Sequence, residues 1–181
     1  MTAVAAYFEQ GLSLALELAN STSRYRQGVK IGSDDVVEGV TGIRVTDPAR
    51  RAWVAAKVRA VVDAREPRDA APLLNELLRG YRARPELIED GDDTWRLHLH
   101  PPAADLEALD AVKAASGLAA LMDEQRWQDL KQCCASACDD YFRDESPNNT
   151  RRYCSRTCAN RTAAQAHRDR RRHGQQAGQA T

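Results

Sequence analysis

All five cysteines of this chain lie between Cys133 and Cys158, in two close groups. Cys133, Cys134 and Cys138 form the first, and Cys154 with Cys158 forms the second, about fifteen residues later, the spacing of a structural site that gathers four thiolates around one tetrahedral zinc ion. A segment this short buries too little apolar surface to order itself, so the metal would supply folding free energy on the order of 10 kcal/mol. Four cysteines leave no open coordination position, which favours a structural ion over a catalytic one. Spacing leaves the first ligand open. Cys133 leaves four residues before Cys138, whereas Cys134 leaves three, as between Cys154 and Cys158. One thiol of the adjacent pair is spare.

The chain before the cysteines reads as mostly helical. Phe8, Leu12, Leu16 and Ala19 recur at helical spacing over residues 3–19. The β-branched set Val36, Val37, Val40, Ile43 and Val45 fits helix or strand. Asp47-Pro48 supplies a capping carboxylate and a first helical residue that needs no donor, so a helix follows to about Ala64, with Trp53, Val54, Val58, Val61 and Val62 inward. A second helix covers Arg68 to Tyr81, with Leu73, Leu74, Leu77 and Leu78 inward. Glu86–Glu89 and Thr94–His100 flank Asp90-Gly91-Asp92-Asp93 and read as a hairpin, Trp95, Leu97 and Leu99 facing the core and Arg96, His98 and His100 the solvent. A helix from Ala104 to Glu124 follows, with Trp127 and Leu130 prolonging it into the cysteine segment. Between the cysteine groups, Tyr141-Phe142-Arg143 and Arg151-Arg152-Tyr153 flank Ser146-Pro147-Asn148-Asn149, which suggests a β-hairpin.

The formal net charge is zero, but it is unevenly placed. Residues 126–173 hold eleven Arg or Lys against six Asp or Glu, leaving fifteen against twenty in residues 1–125. A basic module on an acidic body points to a nucleic-acid partner. Residues 159–173 contain neither Gly nor Pro, and at helical spacing Arg161, Arg168 and Arg172 fall opposite Ala159, Ala163 and Ala166. Arginine binds both phosphate and guanine through two parallel hydrogen bonds. The plainer reading of Arg168–Arg172 is a solvated helix end whose cations oppose the helix dipole.

Other constellations are weaker. His98 and His100 share a strand face but lack a third ligand, and the Asp90–Asp93 cluster lacks the rest of a calcium loop. No nucleophile triad, phosphate-cradling glycine loop or catalytic carboxylate pair is evident, so an enzyme is not expected. No apolar stretch approaches a membrane span and no secretory leader is recognisable, so a soluble, cytoplasmic protein is expected.

The run Leu130-Lys131-Gln132-Cys133, Cys138-Asp139-Asp140-Tyr141-Phe142-Arg143-Asp144-Glu145-Ser146, Arg151-Arg152-Tyr153-Cys154-Ser155 and Cys158-Ala159-Asn160-Arg161 resembles the CGNR zinc fingers of bacteria. The resemblance implies Cys133, Cys138, Cys154 and Cys158 as ligands, which selects Cys133 over Cys134, and Asn160 and Arg161 as motif residues. Ala159 stands where the family has glycine. Upstream, Leu16-Glu17-Leu18-Ala19-Asn20-Ser21-Thr22 and Leu73-Leu74-Asn75-Glu76-Leu77-Leu78 are similar to the ABATE-type domain that accompanies this finger in stress-induced transcription regulators, although Ser21 interrupts the family's Asn-Thr. The implied function is DNA-binding transcriptional regulation.

The combined expectation is an α+β, mostly helical chain. Residues 1–125 form a helical regulatory body with a small β-hairpin, 126–173 a treble-clef-like zinc finger of knuckle, hairpin and helix, and 174–181 a disordered tail. One structural Zn2+ and DNA are the expected ligands, with Arg151, Arg152, Arg156, Arg161, Arg168 and Arg172 as candidate DNA contacts. The alternative is a zinc-stabilised module that contacts a protein partner or a second copy of itself without touching DNA.

Overall fold

The computed structural model describes residues 3–23, 25–26, 29–30, 47–89, 95–102 and 106–177. The Val36–Val45 run and the Asp90–Asp93 loop lie outside them. Within the described residues the chain is mostly helical, with three small two-stranded antiparallel sheets and a cysteine cluster near its C-terminal end.

Four helices make the body: α1 (Ala3–Ser21), α2 (Pro48–Asp63), α3 (Pro67–Gly80) and α4 (Leu106–Asp123). Strands β1 (Tyr25–Arg26) and β2 (Val29–Lys30) pair with each other after α1. Helix α4 packs against the other three helices, most extensively against α1. The core they share is rich in small side chains, including Ala15, Ala19, Ala111, Ala114 and Ala115, with Leu18, Val54, Val58, Leu74 and Leu118 filling the spaces between. At the α1–α4 crossing the backbones nearly touch. A Cβ on Gly117 would collide with the backbone of Gly11 and Leu12, and one on Gly11 with the carbonyl of Lys113.

Helix α2 starts where its cap dictates: Asp47 Oδ1 accepts from the backbone N–H of Ala49 and Arg50 at 3.0 and 3.1 Å, with Pro48 as the first helical residue. Its buried stripe is Val54, Ala55, Val58, Val61 and Val62. Trp53, expected inward, is 51% exposed, because it sits about 100° around the helix from Val54, away from that stripe. It lies edge-on to Tyr81 instead. Leu73 of α3, also expected inward, is 37% exposed, and Leu74 and Leu77 carry the contact.

Strands β3 (Arg84–Glu89) and β4 (Trp95–His100) form the expected hairpin, with Leu87 opposite Leu97. Its faces are reversed from expectation over Trp95–His98, while Leu99 is half-buried. Trp95 and Leu97 are 61% and 50% exposed, while Arg96, His98 and His100 are half-buried. Tyr7 of α1 settles the choice: its ring stacks on His98 at 3.9 Å between centroids and its hydroxyl donates to the Leu99 carbonyl.

Helix α4 does not continue through Trp127 and Leu130. Gln125 adopts φ 58°, Arg126 N donates to Leu121 O and Gln125 N to Met122 O, the paired bonds that close a helix through a left-handed residue. A 3-10 turn over Trp127–Asp129 then leads into β5 (Leu130–Gln132).

Candidate metal centre and its cationic surroundings

Strand β5 pairs antiparallel with β6 (Tyr141–Arg143), Lys131 opposite Phe142, and the bond from Cys133 N to Asp140 O extends the ladder to the first cysteine. This corrects the expected hairpin, since β6 pairs with the segment before the cysteines and Arg151–Tyr153 forms no strand. Asp144 is the reason. Its carboxylate, buried in the loop, accepts from Ser146 N and Oγ, from Arg151 N and, at 2.6 Å, from Lys131 Nζ. The loop closes around this side chain rather than by cross-strand bonds. Burial alone would raise the Asp144 pKa, but Lys131 and the Ser146 hydroxyl, with the two backbone donors, hold it well below the usual carboxylate range.

Beyond the loop, Cys134 N donates to Arg152 O at 2.9 Å, drawing the second cysteine segment across the first. Helix α5 (Arg156–Ala177) then begins, capped by Ser155 Oγ, which accepts from Cys158 N at 3.2 Å. It runs on through residue 177, so the tail expected over residues 174–181 is helical in its first half and outside the described residues thereafter.

Four sulfurs meet as a result. The Sγ atoms of Cys133, Cys138, Cys154 and Cys158 all lie within 4.8 Å of one another, with Cys138 to Cys154 and Cys154 to Cys158 both at 3.6 Å. Zinc–sulfur bonds of 2.3 Å in a tetrahedron place sulfurs about 3.8 Å apart, so the cluster can hold one zinc ion. Cys133, Cys138 and Cys158 are buried and Cys154 is half-buried. Cys134 is exposed and lies outside the cluster.

The electrostatics suit a cation. Burial pushes the Cys138 thiol far up, and burial with the Cys158 hydrogen bond takes Cys154 up to about 12, so without a positive charge these groups keep their protons. Burial would also raise Cys158, but hydrogen bonds from Ser155 and the neighbouring thiols hold it below the ordinary thiol value. Cys154 N donates to Cys133 Sγ at 3.4 Å, and Arg161 Nη2 donates to Cys158 Sγ at 3.5 Å. Both bonds favour thiolates, and Cys158 lies in the first turn of α5, where the helix dipole adds to them.

The arginines singled out in the sequence divide by role. Arg161 is half-buried and also donates to Ala137 O, so it braces the knuckle. Arg151 lies over Phe142, its guanidinium donating to the carbonyls of Tyr153 and Cys154. Arg152, Arg156, Arg168 and Arg172 are exposed. Arg152 lies over the Tyr153 ring, and Arg168 donates to Gln165 within the helix. Asn160 faces solvent from the first turns of α5.

Sequence reasoning missed the seam that fixes the finger on the body. Tyr141 is part of the helical core, and its hydroxyl donates to Asp63 at 2.8 Å. Arg59 of α2 lies over the Tyr141 ring, pairs with Asp63, and donates to Ser23 Oγ and Asp139 O. Arg143 reaches both carboxylate oxygens of Glu9 in α1, and Trp127 Nε1 donates to Ala64 O. Only the aromatic residues gave a hint in the sequence.

Among known proteins, residues 130–171 match the CGNR zinc finger family, a stretch that contains all four clustered cysteines. No curated protein matches the chain.

Proposed function

We propose that the chain is a zinc-dependent DNA-binding protein that acts as a transcriptional regulator in the cytoplasm, with the finger on DNA and the ABATE-like body carrying the regulatory input. It binds rather than catalyses. The observation that supports this reading is the segregation of charge within the finger. Asp129, Asp140 and Asp144 are buried, Asp144 pairs with Lys131, Asp129 with Arg126, and Asp139 faces Arg59 of the body. Arg161 sits against the cluster's own negative charge. Four of the segment's six acids are thus turned inward or held at the seam with the body, Glu145 and Asp169 being the exceptions, while Arg152, Arg156, Arg168 and Arg172 stand in solvent.

The test is the salt dependence of DNA affinity in an Arg168→Ala, Arg172→Ala double variant. If both residues neutralise phosphates, its log–log salt slope is shallower than that of the parent by about 2. An unchanged slope rejects their role.

A second reading, a protein partner or a second copy of the chain in place of DNA, draws support from the outer face of the β3–β4 hairpin. Leu87, Trp95 and Leu97 are each at least half exposed there. Such a contact is apolar and its affinity would not fall steeply with salt.

A further inference from the structure

Between the C-terminal end of α2 and the finger lies a cavity of about 640 Å3, within the size range of small-ligand sites. Arg65 of the α2–α3 connection lines it from the body, and Lys131, Arg151 and Arg152 from the finger. The side-chain amides of Gln128 and Gln132 belong to residues of the same wall. No carboxylate residue is among those lining it. Lys131 shares its charge with Asp144, and Arg151 gives hydrogen bonds to two carbonyls but keeps its charge. Arg65 and Arg152 are exposed, and the positive charge of Arg65 is felt at Tyr141, which also lines the cavity.

Four cationic side chains facing one cluster thiolate, Cys133, in a concave site with no carboxylate in its lining attract an anion, and one of more than a single charge best matches them. Planar guanidinium groups on two walls suit the oxygens of a tetrahedral phosphate. We propose that this cavity binds a phosphoryl group, carried by a free phosphate-bearing ligand or by the backbone of a nucleic acid. It does not depend on the α5 arginines. A group bound there would touch body and finger at once, so its occupancy would couple the two.

The test is titration of inorganic phosphate into the zinc-loaded full chain at low salt, followed by amide chemical shifts and repeated with a short DNA duplex present. The expected result is saturable shifts in residues 127–134 and 149–152, with Arg65→Gln and Arg152→Gln each weakening binding about tenfold and Arg79→Gln, an exposed α3 position outside the cavity lining, leaving it unchanged. Zinc content and circular dichroism of each variant establish that it is folded, and Arg65→Lys should restore part of the affinity. Displacement of phosphate by the duplex assigns the group to nucleic acid, and its absence assigns it to a free ligand. No saturation by about 50 mM phosphate, or equal weakening by Arg79→Gln, overturns the site. That outcome would leave the DNA reading standing, because the duplex affinity and its salt slope are measured independently of the phosphate shifts.

Discussion

Asn20 of α1 is bonded to Tyr141 of the finger in the manner of a strand partner: its Nδ2 donates to Tyr141 O at 2.9 Å, and Tyr141 N donates to its Oδ1 at 2.7 Å. One side chain of the body thus satisfies both backbone groups of a finger residue that sits beside the cysteine knuckle. Asn20→Ala would leave both groups short of partners at a closely packed seam. The expected loss is about 2 to 4 kcal/mol in denaturant unfolding of the zinc-loaded chain. A change below about 0.5 kcal/mol, the scale of an ordinary surface substitution, would show that the seam contributes little.

The sulfur geometry separates the adjacent cysteines. Cys134→Ser should retain one zinc per chain, because its thiol is exposed and outside the cluster, whereas Cys133→Ser and Cys158→Ser should lose tight metal binding. Metal analysis after dialysis against a weak chelator decides this. Loss of zinc in the Cys134 variant alone would mean that the first ligand has been misassigned.

Alkaline pH should loosen the seam through Tyr141. Burial and the hydrogen bond to Asp63 take its hydroxyl from the ordinary value of 10.0 up to about 12. The folded chain therefore keeps a proton that the unfolded chain loses first. The stability this contributes is fully present below pH 10 and disappears as pH rises toward 12, by on the order of 2 kcal/mol. Tyr141→Phe removes that slope, so the difference in unfolding free energy between parent and variant should narrow across this window. A constant difference would contradict the assignment.

Backbone contact between α1 and α4 makes Gly117 intolerant of a methyl group. Gly117→Ala places a Cβ against the backbone of Gly11 and Leu12, which cannot move aside without shifting a helix. Overpacking of this kind costs about 1 to 3 kcal/mol or more, even though alanine is the better helix former. A thermal midpoint at or above that of the parent would show that the helices part easily.

What the sequence disclosed and what it withheld follow the range of the interactions. Local chemistry was readable: Asp47-Pro48 caps and starts a helix by contacts within three residues, and the two cysteine groups announce a four-sulfur site by spacing alone. Spacing could not choose between Cys133 and Cys134, because that choice depends on which thiol faces the cluster. The end of α3 falls within one residue of its expected place, whereas α4 stops before Trp127 because Gln125 takes the left-handed conformation usually signalled by glycine. Alternation along β4 defined two faces but not which one meets the body, a choice made by Tyr7 from a distant helix. The partner of β6 was misread because the Ser146–Asn149 stretch looks like a hairpin turn, whereas the Asp144 carboxylate organises it. The pairs Glu9–Arg143 and Arg59–Tyr141 join positions too far apart in sequence for any local pattern to mark.

The most direct test of a zinc-organised DNA contact is electrophoretic retardation of random-sequence DNA by the full chain across a salt series, with zinc measured in the same sample. With one zinc per chain, phosphate contact by four of the finger's exposed arginines, Arg152, Arg156, Arg168 and Arg172, predicts retardation at low salt and a log–log salt slope of about −3 to −4, both abolished by chelation. One zinc per chain with no retardation at low salt would contradict the account.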